Sequence, residues 1–327
     1  MINAPVSDLG KFAQAGFAIL LFVAVVGAIL FIASRFSGYR GDRATAAAFL
    51  GPTVILLSVG LVYPGLRTIV VSFFDAAGKK FVGFDNYSTI FTTSDEITIL
   101  RNTVLWVVVT PLVATAIGLV YAVLVDGIKF EAFAKSLIFL PMAISFVGAS
   151  IIWKFVYEYR PHQGSIQQIG LLNQILVWCG GTPQEWLLNT PWNTFFLIIV
   201  LIWVQAGFAM TILSASIKAI PDDIIEAATL DGASRLKMFR YVTVPSIRPS
   251  IVVVLTTISI AALKVFDVVK AMTGGRFDTS VVANEFYSQT FSADNQGLGA
   301  ALAVLLFVLV IPVVAYNVRQ LRASEAQ

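Results

Sequence analysis

Residues 226–249 read EAATLDGASRLKMFRYVTVPSIRP, a polar stretch between two apolar runs that are each long enough to cross a membrane. Just before it, Pro221 and two aspartates are typical of a helix start, because proline tolerates the first helical position and acids complement the positive helix end. Gly232 predicts a left-handed residue that ends this helix, and Ser234 predicts the cap of a second helix. The stretch is therefore predicted to form two short rigid helices joined by a tight turn.

The second helix is predicted to run to about Tyr241, because Pro245 and Pro249 would stop it and set the direction of the next apolar run. Small side chains at Ala227 and Ala228 would let a partner surface approach closely. A docked helix of this kind would transmit rigid-body motion. An amphipathic connector without a partner is the alternative interpretation of the same pattern.

The composition indicates an all-α, polytopic helical membrane protein. Of the 327 residues, 57% are hydrophobic and 13% are charged, whereas soluble domains carry about 25% charged residues. The single cysteine, Cys179, excludes an intrachain disulfide, and the single histidine, His162, makes a His/Cys metal site implausible. We therefore expect no metal and no cofactor, and the net charge of +3 gives no reason to expect nucleic acid.

Seven segments have the roughly 20 apolar residues that one membrane crossing needs. They are residues 12–34, 46–73, 99–125, 135–157, 193–216, 248–271 and 297–318. We expect each to be helical, with kinks at interior prolines, and we interpret 12–34 as a retained span rather than a cleaved signal. The predicted organisation is an extra N-terminal helix and linker (1–45), a six-span domain (46–320) containing the polar loop 217–249, and a short tail (321–327).

The distribution of Lys and Arg predicts the orientation of these spans. With loop 217–249 in the cytoplasm, that side holds twelve of them: Arg35, Arg40, Arg43, Lys129, Lys135, Lys218, Arg235, Lys237, Arg240, Arg248, Arg319 and Arg322. The other side holds six: Lys11, Lys79, Lys80, Arg101, Arg160 and Arg276. Because short cytoplasmic loops carry the excess of positive charge, we expect a periplasmic N-terminus and a cytoplasmic C-terminus.

The polar loop resembles the cytoplasmic "EAA" loop of ABC-importer permeases, whose pattern is roughly EAAxxDGA followed by F, I, LP and a second proline. Val242 and Val244 stand where that family usually has Ile and Leu. In the family this loop docks into a groove on the ATPase subunit. The resemblance implies that role for eight residues here: Glu226, Ala227, Ala228, Asp231, Gly232, Ala233, Phe239 and Pro245.

Further motifs resemble the MalF-like carbohydrate-uptake permeases. Residues 49–52 (FLGP), 83–87 (GFDNY) and 102–103 (NT) look like shared elements of that family, as does FD at 266–267 followed by TGG at 273–275. The usual continuation is Gly-Pro, whereas Arg and Phe follow here. Residues 264–269 and 283–287 look most like the α-glucoside permeases of the maltose, trehalose and sucrose group.

The resemblance implies that this chain lies in the bacterial inner membrane and works with a set of partners. These are a second permease subunit that forms a heterodimer with this chain, two ATP-binding-cassette ATPase subunits, a periplasmic sugar-binding protein, a sugar substrate and membrane lipid. The chain has no phosphate-binding Gly-x-x-x-x-Gly-Lys-Ser/Thr loop of its own, because Gly78-Lys79-Lys80 lacks the leading glycine and the hydroxyl residue. ATP hydrolysis is therefore expected in a partner, and this chain is expected not to be an enzyme.

Polar groups inside the spans are candidates for the substrate path, because such groups are costly in lipid. Lys264 and Asp267 are predicted to share one helical face, either beside the path or as a structural ion pair. Trp203, Gln205 and Phe208 carry chemistry that suits sugar rings and hydroxyls, although each could equally be a packing residue. Asn284 and Tyr287 are further candidates for contact with sugar or the binding protein.

Three other functions are alternatives to a sugar importer. An ion-coupled secondary transporter would need a relay of intramembrane carboxylates, and only Asp267 is well placed for one. A membrane-embedded enzyme would need a catalytic cluster that one histidine and one cysteine do not supply. A permease for another solute, such as glycerol phosphate or a polyol, stays open.

Overall fold

The computed structural model describes residues 39–161 and 170–325, together with a few positions between 16 and 31. The predicted span 12–34 therefore lies almost wholly outside the described residues. The chain separates into two compact units, residues 1–67 and 68–327, and each is described by itself.

The first unit is helical where it is described. Helix α1 (Tyr39–Leu57) continues through a wide π-helical turn, Ser58–Val62, into α2 (Tyr63–Val71), whose last residues begin the second unit. Its apolar part, Phe49–Val71, is long enough to cross a membrane. Pro64 is the second residue of α2, directly after the π-helical turn, and as a proline it donates no backbone hydrogen bond there.

The second unit contains the helices that build the functional site. Within the described residues they are Asp85–Thr92 (α3), Ser94–Val125 (α4), Glu131–Phe139 (α5), Phe146–Val156 (α6), Leu171–Trp178 (α7), Trp192–Lys218 (α8), Asp222–Leu230 (α9), Arg235–Met238 (α10), Val244–Ser246 (α11), Arg248–Leu263 (α12), Asp267–Met272 (α13), Val282–Tyr287 (α14) and Gln296–Glu325 (α15). Apart from one isolated antiparallel bridge between Phe74 and Phe81, these residues form no β-structure. The all-α prediction is confirmed.

Three helices of the second unit are long and apolar enough to cross a membrane without a break: α4, α8 and residues Gln296–Arg319 of α15. They match the predicted spans 99–125, 193–216 and 297–318. Pro111 lies inside α4 and Pro312 inside α15, and neither interrupts its helix. Two bent helix pairs supply the remaining membrane-length segments of the described chain.

The first bent pair corrects the prediction of one continuous helix over 135–157. Helix α5 runs into a 3-10 turn at Leu140–Ala143, and α6 starts afresh at an angle of 103°. Pro141 cannot donate a backbone hydrogen bond, and the Ser145 hydroxyl accepts the Gly148 amide at 3.1 Å to cap α6. Proline and a new cap together end one helix and begin another.

The second bent pair corrects the prediction over 248–271. Residues Arg235–Ser246 and α12 meet at 68°, and α12 ends at Leu263 instead of continuing. Residues 264–266 lie between α12 and α13. If each bent pair counts as one span, six segments of the described residues are long and apolar enough to cross a membrane.

The main core of the second unit lies where α4, α8 and α12 meet. Trp106, Leu201 and Ile258 are fully or almost fully buried there. Gly118 of α4 lies so close to α8 that a Cβ atom would come within 2.6 Å of the Ala209 side chain. Close backbone contact without a bulky side chain holds these two long helices together, as is common between membrane helices.

Candidate functional site

Residues 221–246 form a bent pair of helices that we call the elbow. Its first arm is α9. The residue before this helix, Pro221, has a non-helical backbone with φ of −57° and ψ of 137°. Gly232 ends the arm with φ of +74°, and the Ala233 amide donates to the Ala228 carbonyl at 3.0 Å. A left-handed glycine with this hydrogen bond is a common way to end a helix. The predicted turn at Gly232 is confirmed.

The second arm begins as predicted but ends later. The Ser234 hydroxyl accepts the Lys237 amide at 3.5 Å and caps α10. The chain then passes through a π-helical turn, Phe239–Thr243, and remains helical to Ser246. The expectation that Pro245 stops this arm near residue 241 is wrong, because the chain stays helical through the π-helical turn and past Pro245, although proline donates no backbone hydrogen bond.

The elbow presents an exposed surface on which large apolar side chains stand among charged ones. Leu230, Leu236 and Tyr241 are 89%, 75% and 70% exposed. Of the eight residues that the family resemblance marks for ATPase contact, the exposed ones are Glu226, Ala227, Asp231, Gly232 and Pro245, and the half-buried ones are Ala228, Ala233 and Phe239. Large apolar side chains this exposed, beside charged ones, are typical of a protein-binding surface.

A cavity of about 390 Å³ separates the inner side of the elbow from the ends of α4 and α8. Ala233, Arg235 and Phe239 line it from the elbow, whereas Asp126 and Ile217 line it from the helix ends. The half-buried Ala233 and Phe239 therefore face the bundle, and so does the exposed Arg235.

Lys264 and Asp267 do not lie on one helix, which corrects the prediction that they share a helical face. Lys264 follows the last residue of α12, and Asp267 is the first residue of α13. Neither side chain takes part in an ion pair with any side chain that the structure describes. Both line a cavity of about 200 Å³, together with Phe146, Leu201 and four neighbouring residues of the break.

The three candidates on α8 are half-buried, and they lie outside the lining of that cavity. The Trp203 ring packs edge-to-face on Trp153 of α6, with ring centroids 5.8 Å apart. Trp203 and Phe208 both pack against the main core. Gln205 is half-buried and has no hydrogen-bond partner among the described residues. The structure thus brings Lys264 and Asp267 together at one cavity. Trp203, Gln205 and Phe208 do not line that cavity.

The segment 273–282, which we call the outer loop, is held by long-range hydrogen bonds. Asn102 of α4 donates to the carbonyls of Asp278 (2.6 Å) and Ser280 (3.0 Å). The Thr103 hydroxyl accepts the Val282 amide at 3.0 Å. The Asn-Thr pair of the family resemblance therefore anchors the outer loop.

Asn193, which the sequence analysis did not single out, holds the same loop from α8. Its amide group donates to the Phe277 carbonyl at 2.6 Å. Asn284 is also buried, and its amide group donates to the Ser280 hydroxyl at 2.9 Å. The sequence signal that could have identified Asn193 is an asparagine at the start of an apolar span.

The GFDNY motif fastens a hairpin to the end of the first predicted core span. Asn86 donates to the carbonyls of Ser72 and Phe74, both at 2.8 Å, and the Tyr87 hydroxyl is 2.7 Å from the Ser72 hydroxyl. At the hairpin turn, the amides of Lys79 and Lys80 donate to the Asp75 carboxylate. These backbone bonds lower the pKa of Asp75.

Asn173, also missed from the sequence, organises the described part of segment 158–191. Its side chain is fully buried and donates to the carbonyls of Glu158 and Gln184, at 2.8 and 3.1 Å. Its oxygen accepts the Gln184 amide and the Trp186 ring N–H. All four hydrogen-bonding positions of this amide are therefore used for structure.

Long apolar helices, two broken crossings and an exposed elbow define a helical membrane permease. The family model of the binding-protein-dependent transport system inner membrane component matches residues 99–322, which include the elbow, the broken crossings and the outer loop. The chain belongs to this family and is a multi-pass inner-membrane protein, as its motifs predicted. No group of three or more His, Cys, Asp or Glu side chains that could hold a metal ion occurs within the described residues.

Two relatives are similar over most of their length. The osmoprotective compounds uptake permease GgtC of Synechocystis is 47% identical over 277 residues, covering 85% of this chain and 99% of the relative. The alpha-glucoside transport system permease AglF of Rhizobium meliloti is 46% identical over 272 residues, covering 83% and 80%. Among solved structures, a bacterial importer of alginate superposes with a TM-score of 0.72 at 23% identity, covering 85% of this chain and 95% of that one. The last likeness shows the fold alone.

Proposed function

We propose that this chain is the permease subunit of an ATP-driven sugar importer that takes up α-glucosides. The similarity of AglF, named for alpha-glucoside transport, carries this proposal. The resemblance of residues 264–269 and 283–287 to α-glucoside permeases supports it. A second candidate is an osmoprotective solute, which the name of GgtC favours. Glycerol phosphate and polyols stay as further alternatives.

The elbow is the proposed docking element for a separate ATPase. Its outer side combines exposed apolar groups, such as Leu230 and Leu236, with the exposed charges of Glu226 and Asp231. Its own hydrogen bonds are short-range, so it keeps its shape without a partner and is ready to bind one. ATP-driven closure of two ATPase subunits would push the elbow and rock the bundle between inward-open and outward-open states.

The break between α12 and α13 is the proposed substrate contact. Interrupted helices are common at the binding sites of membrane transporters, because they leave backbone groups and polar side chains free at membrane depth. Lys264 is exposed and Asp267 half-exposed in the isolated chain, so both would face the second permease subunit across the path. Trp203, Gln205 and Phe208 would contribute ring stacking and amide hydrogen bonds deeper in the bundle.

The proposed assembly contains this chain, a second permease, two ATPases, a periplasmic sugar-binding protein and surrounding lipid, without nucleic acid. The elbow and the C-terminus would lie in the cytoplasm, and the N-terminus in the periplasm. Residues 1–45 would add one helix to a permease domain of 46–320, and 321–327 would form a tail. Substrate selection would be shared with the binding protein.

The proposal is tested in vesicles that carry the whole assembly, by uptake of a labelled panel of α-glucosides, an osmoprotective compound, a polyol and glycerol phosphate. Uptake of an α-glucoside, dependent on ATP and on the binding protein, is expected. Glu226→Ala is expected to weaken ATPase association about tenfold, the effect of a central interface contact. Glu185→Ala, outside the elbow, is the control. Transport of other solutes alone, or full ATPase binding by Glu226→Ala, would contradict the assignment.

A further inference from the structure

Four charged side chains meet where the elbow leaves the bundle, and the docking surface proposed above does not include them. Asp126 follows α4, Glu131 begins α5, Lys135 lies one turn further along α5, and Lys218 ends α8. Lys218 is three residues before Pro221, the residue that precedes the first arm of the elbow. We call these four residues the root cluster.

Glu131 is the centre of the root cluster. One carboxylate oxygen, Oε1, accepts from Lys135 Nζ at 2.6 Å and from Lys218 Nζ at 2.5 Å. The other, Oε2, accepts from the Gly127 amide at 3.0 Å. A single carboxylate thus ties the turn after α4, the helix α5 and the end of α8 to one point.

The second acid bridges the same two lysines. Asp126 Oδ1 lies 3.4 Å from Lys218 Nζ and 3.9 Å from Lys135 Nζ. Lys135 Nζ also donates to the Ser214 hydroxyl, at 2.5 Å, one turn before the end of α8. Each lysine is therefore held by more than one partner, and the partners come from different helices.

The charges also suit the helix ends that they occupy. Glu131 lies in the first turn of α5 and Lys218 in the last turn of α8, where a negative and a positive charge respectively complement the helix dipole. One exposed ion pair contributes little. A carboxylate with three charge-assisted or backbone donors from separate elements fixes their relative positions far better.

The root cluster lies between the start of the elbow and the most extensively packed helices. The Tyr121 hydroxyl donates to the Ala134 carbonyl at 2.7 Å, which closes the corner between α4 and α5. Helix α4 packs along α8 through Gly118 and Ala209. Asp126 lines the cavity beneath the elbow. The helix ends beside the elbow are thus connected to one another, whereas the elbow itself is held mainly by its own turns.

We propose that the root cluster positions the elbow for energy coupling. It fastens the end of α8 to α4 and α5, so that a displacement of the elbow moves these three helices together instead of bending residues 218–221. The inference rests on the proposed function, because it assumes that an ATPase pushes the elbow. Without the cluster, the elbow would still bind the ATPase. Its movement would then bend residues 218–221 and would not move the three helices.

The test uses the complete assembly in proteoliposomes and measures sugar transported per ATP hydrolysed, together with ATPase association. Glu131→Gln and Lys218→Met remove the central charges and leave the elbow unchanged. Each variant is expected to lower the amount of sugar transported per ATP by about fivefold or more, because typical coupling between two sites is at least that large. Association with the ATPase is expected to be retained. Combining both changes is expected to add little, because the two groups act through one contact.

Two variants serve as controls. Lys218→Arg preserves the charge and is expected to keep the wild-type ratio. Lys129→Met removes an exposed lysine from the same turn, which has no ion-pair partner among the described side chains, and is also expected to keep it. Should Glu131→Gln fail to assemble, the contrast between Lys218→Met and Lys218→Arg decides the question.

Unchanged transport per ATP in Lys218→Met would overturn the inference, as would an equal loss in Lys129→Met. Loss of ATPase association in the root-cluster variants would overturn it too, since the cluster would then belong to the docking surface. A wild-type assembly that neither binds the ATPase nor transports would refute the proposed function and this inference together. That result is recognised without any variant, so the two failures are distinguishable.

Discussion

The elbow and the outer loop are both polar connections with left-handed glycines, yet different interactions hold them. In the elbow, Gly232 and Ser234 make hydrogen bonds to residues a few positions away. In the outer loop, Asn102 and Asn193 reach across more than eighty residues to hold backbone carbonyls. The elbow is therefore shaped by hydrogen bonds between residues close in sequence, and its surface stays exposed. The outer loop is shaped by hydrogen bonds to the helices of the bundle.

The largest effect is expected from removing an anchor of the outer loop. Asn102→Ala would leave the carbonyls of Asp278 and Ser280 without their buried donor. Two unsatisfied groups would lower the free energy of unfolding by about 2–4 kcal/mol, measured by denaturant unfolding of the purified chain in detergent. Asn189→Ala, at an exposed asparagine, is the control and should change it little. Equal stability of both variants would mean that the anchor does not hold the loop.

A smaller effect is expected from adding one methyl group to a left-handed glycine in each region. Gly275 has φ of +81°, and its Cβ would lie 2.4 Å from Asn284 Nδ2, whereas Gly232 has φ of +74° and nothing within 4 Å. Gly232→Ala should cost about 1 kcal/mol from backbone strain alone. Gly275→Ala should cost about 2 kcal/mol or more, because crowding adds to the strain.

The same denaturant unfolding measures both glycine variants. A cost for Gly232→Ala as large as that for Gly275→Ala would show that the elbow is packed as tightly as the outer loop. That result would remove the difference between the two regions.

The smallest effect concerns the hairpin turn at Asp75, which is local like the elbow. Because backbone donors lower the pKa of Asp75, the bonded carboxylate stabilises the turn above its unfolded pKa, about 3.9. This stabilisation is lost only as the pH falls through the lower folded value. Asp75→Asn should speed hydrogen exchange at the amides of Lys79 and Lys80 about two- to fivefold. The ratio to wild type should stay constant from pH 5 to 8, and a change within that range would contradict the assignment.

Prediction from the sequence succeeded where the determining interactions are close in sequence. The elbow turn at Gly232 and the cap at Ser234 follow from residue type, because their hydrogen bonds close within five positions. The end of the second arm was predicted too early, since a π-helical turn delivers Pro245 to the start of a new helix. Residue type alone does not indicate such a turn.

The predictions failed where the outcome depends on packing. Pro111 and Pro141 are both prolines within apolar runs, yet only Pro141 accompanies a break. Near that break the Ile138 carbonyl lies against Gly207 of α8, where a Cβ would come within 2.4 Å. Similarly, Lys264 and Asp267 are three apart, but the chain breaks between them, so helical spacing misled the prediction of a shared face.

The sequence by itself determined the membrane-spanning class, the all-α fold, the family, and the turn and cap at the centre of the elbow. Apolar length and short-range capping decide these properties, and both are visible in a linear chain. Only the tertiary structure decided where the crossings break, which asparagines hold the outer loop, and how Asp126, Glu131, Lys135 and Lys218 come together at the elbow's root. Those features depend on contacts between residues far apart in sequence, and such contacts arise only when the helices pack.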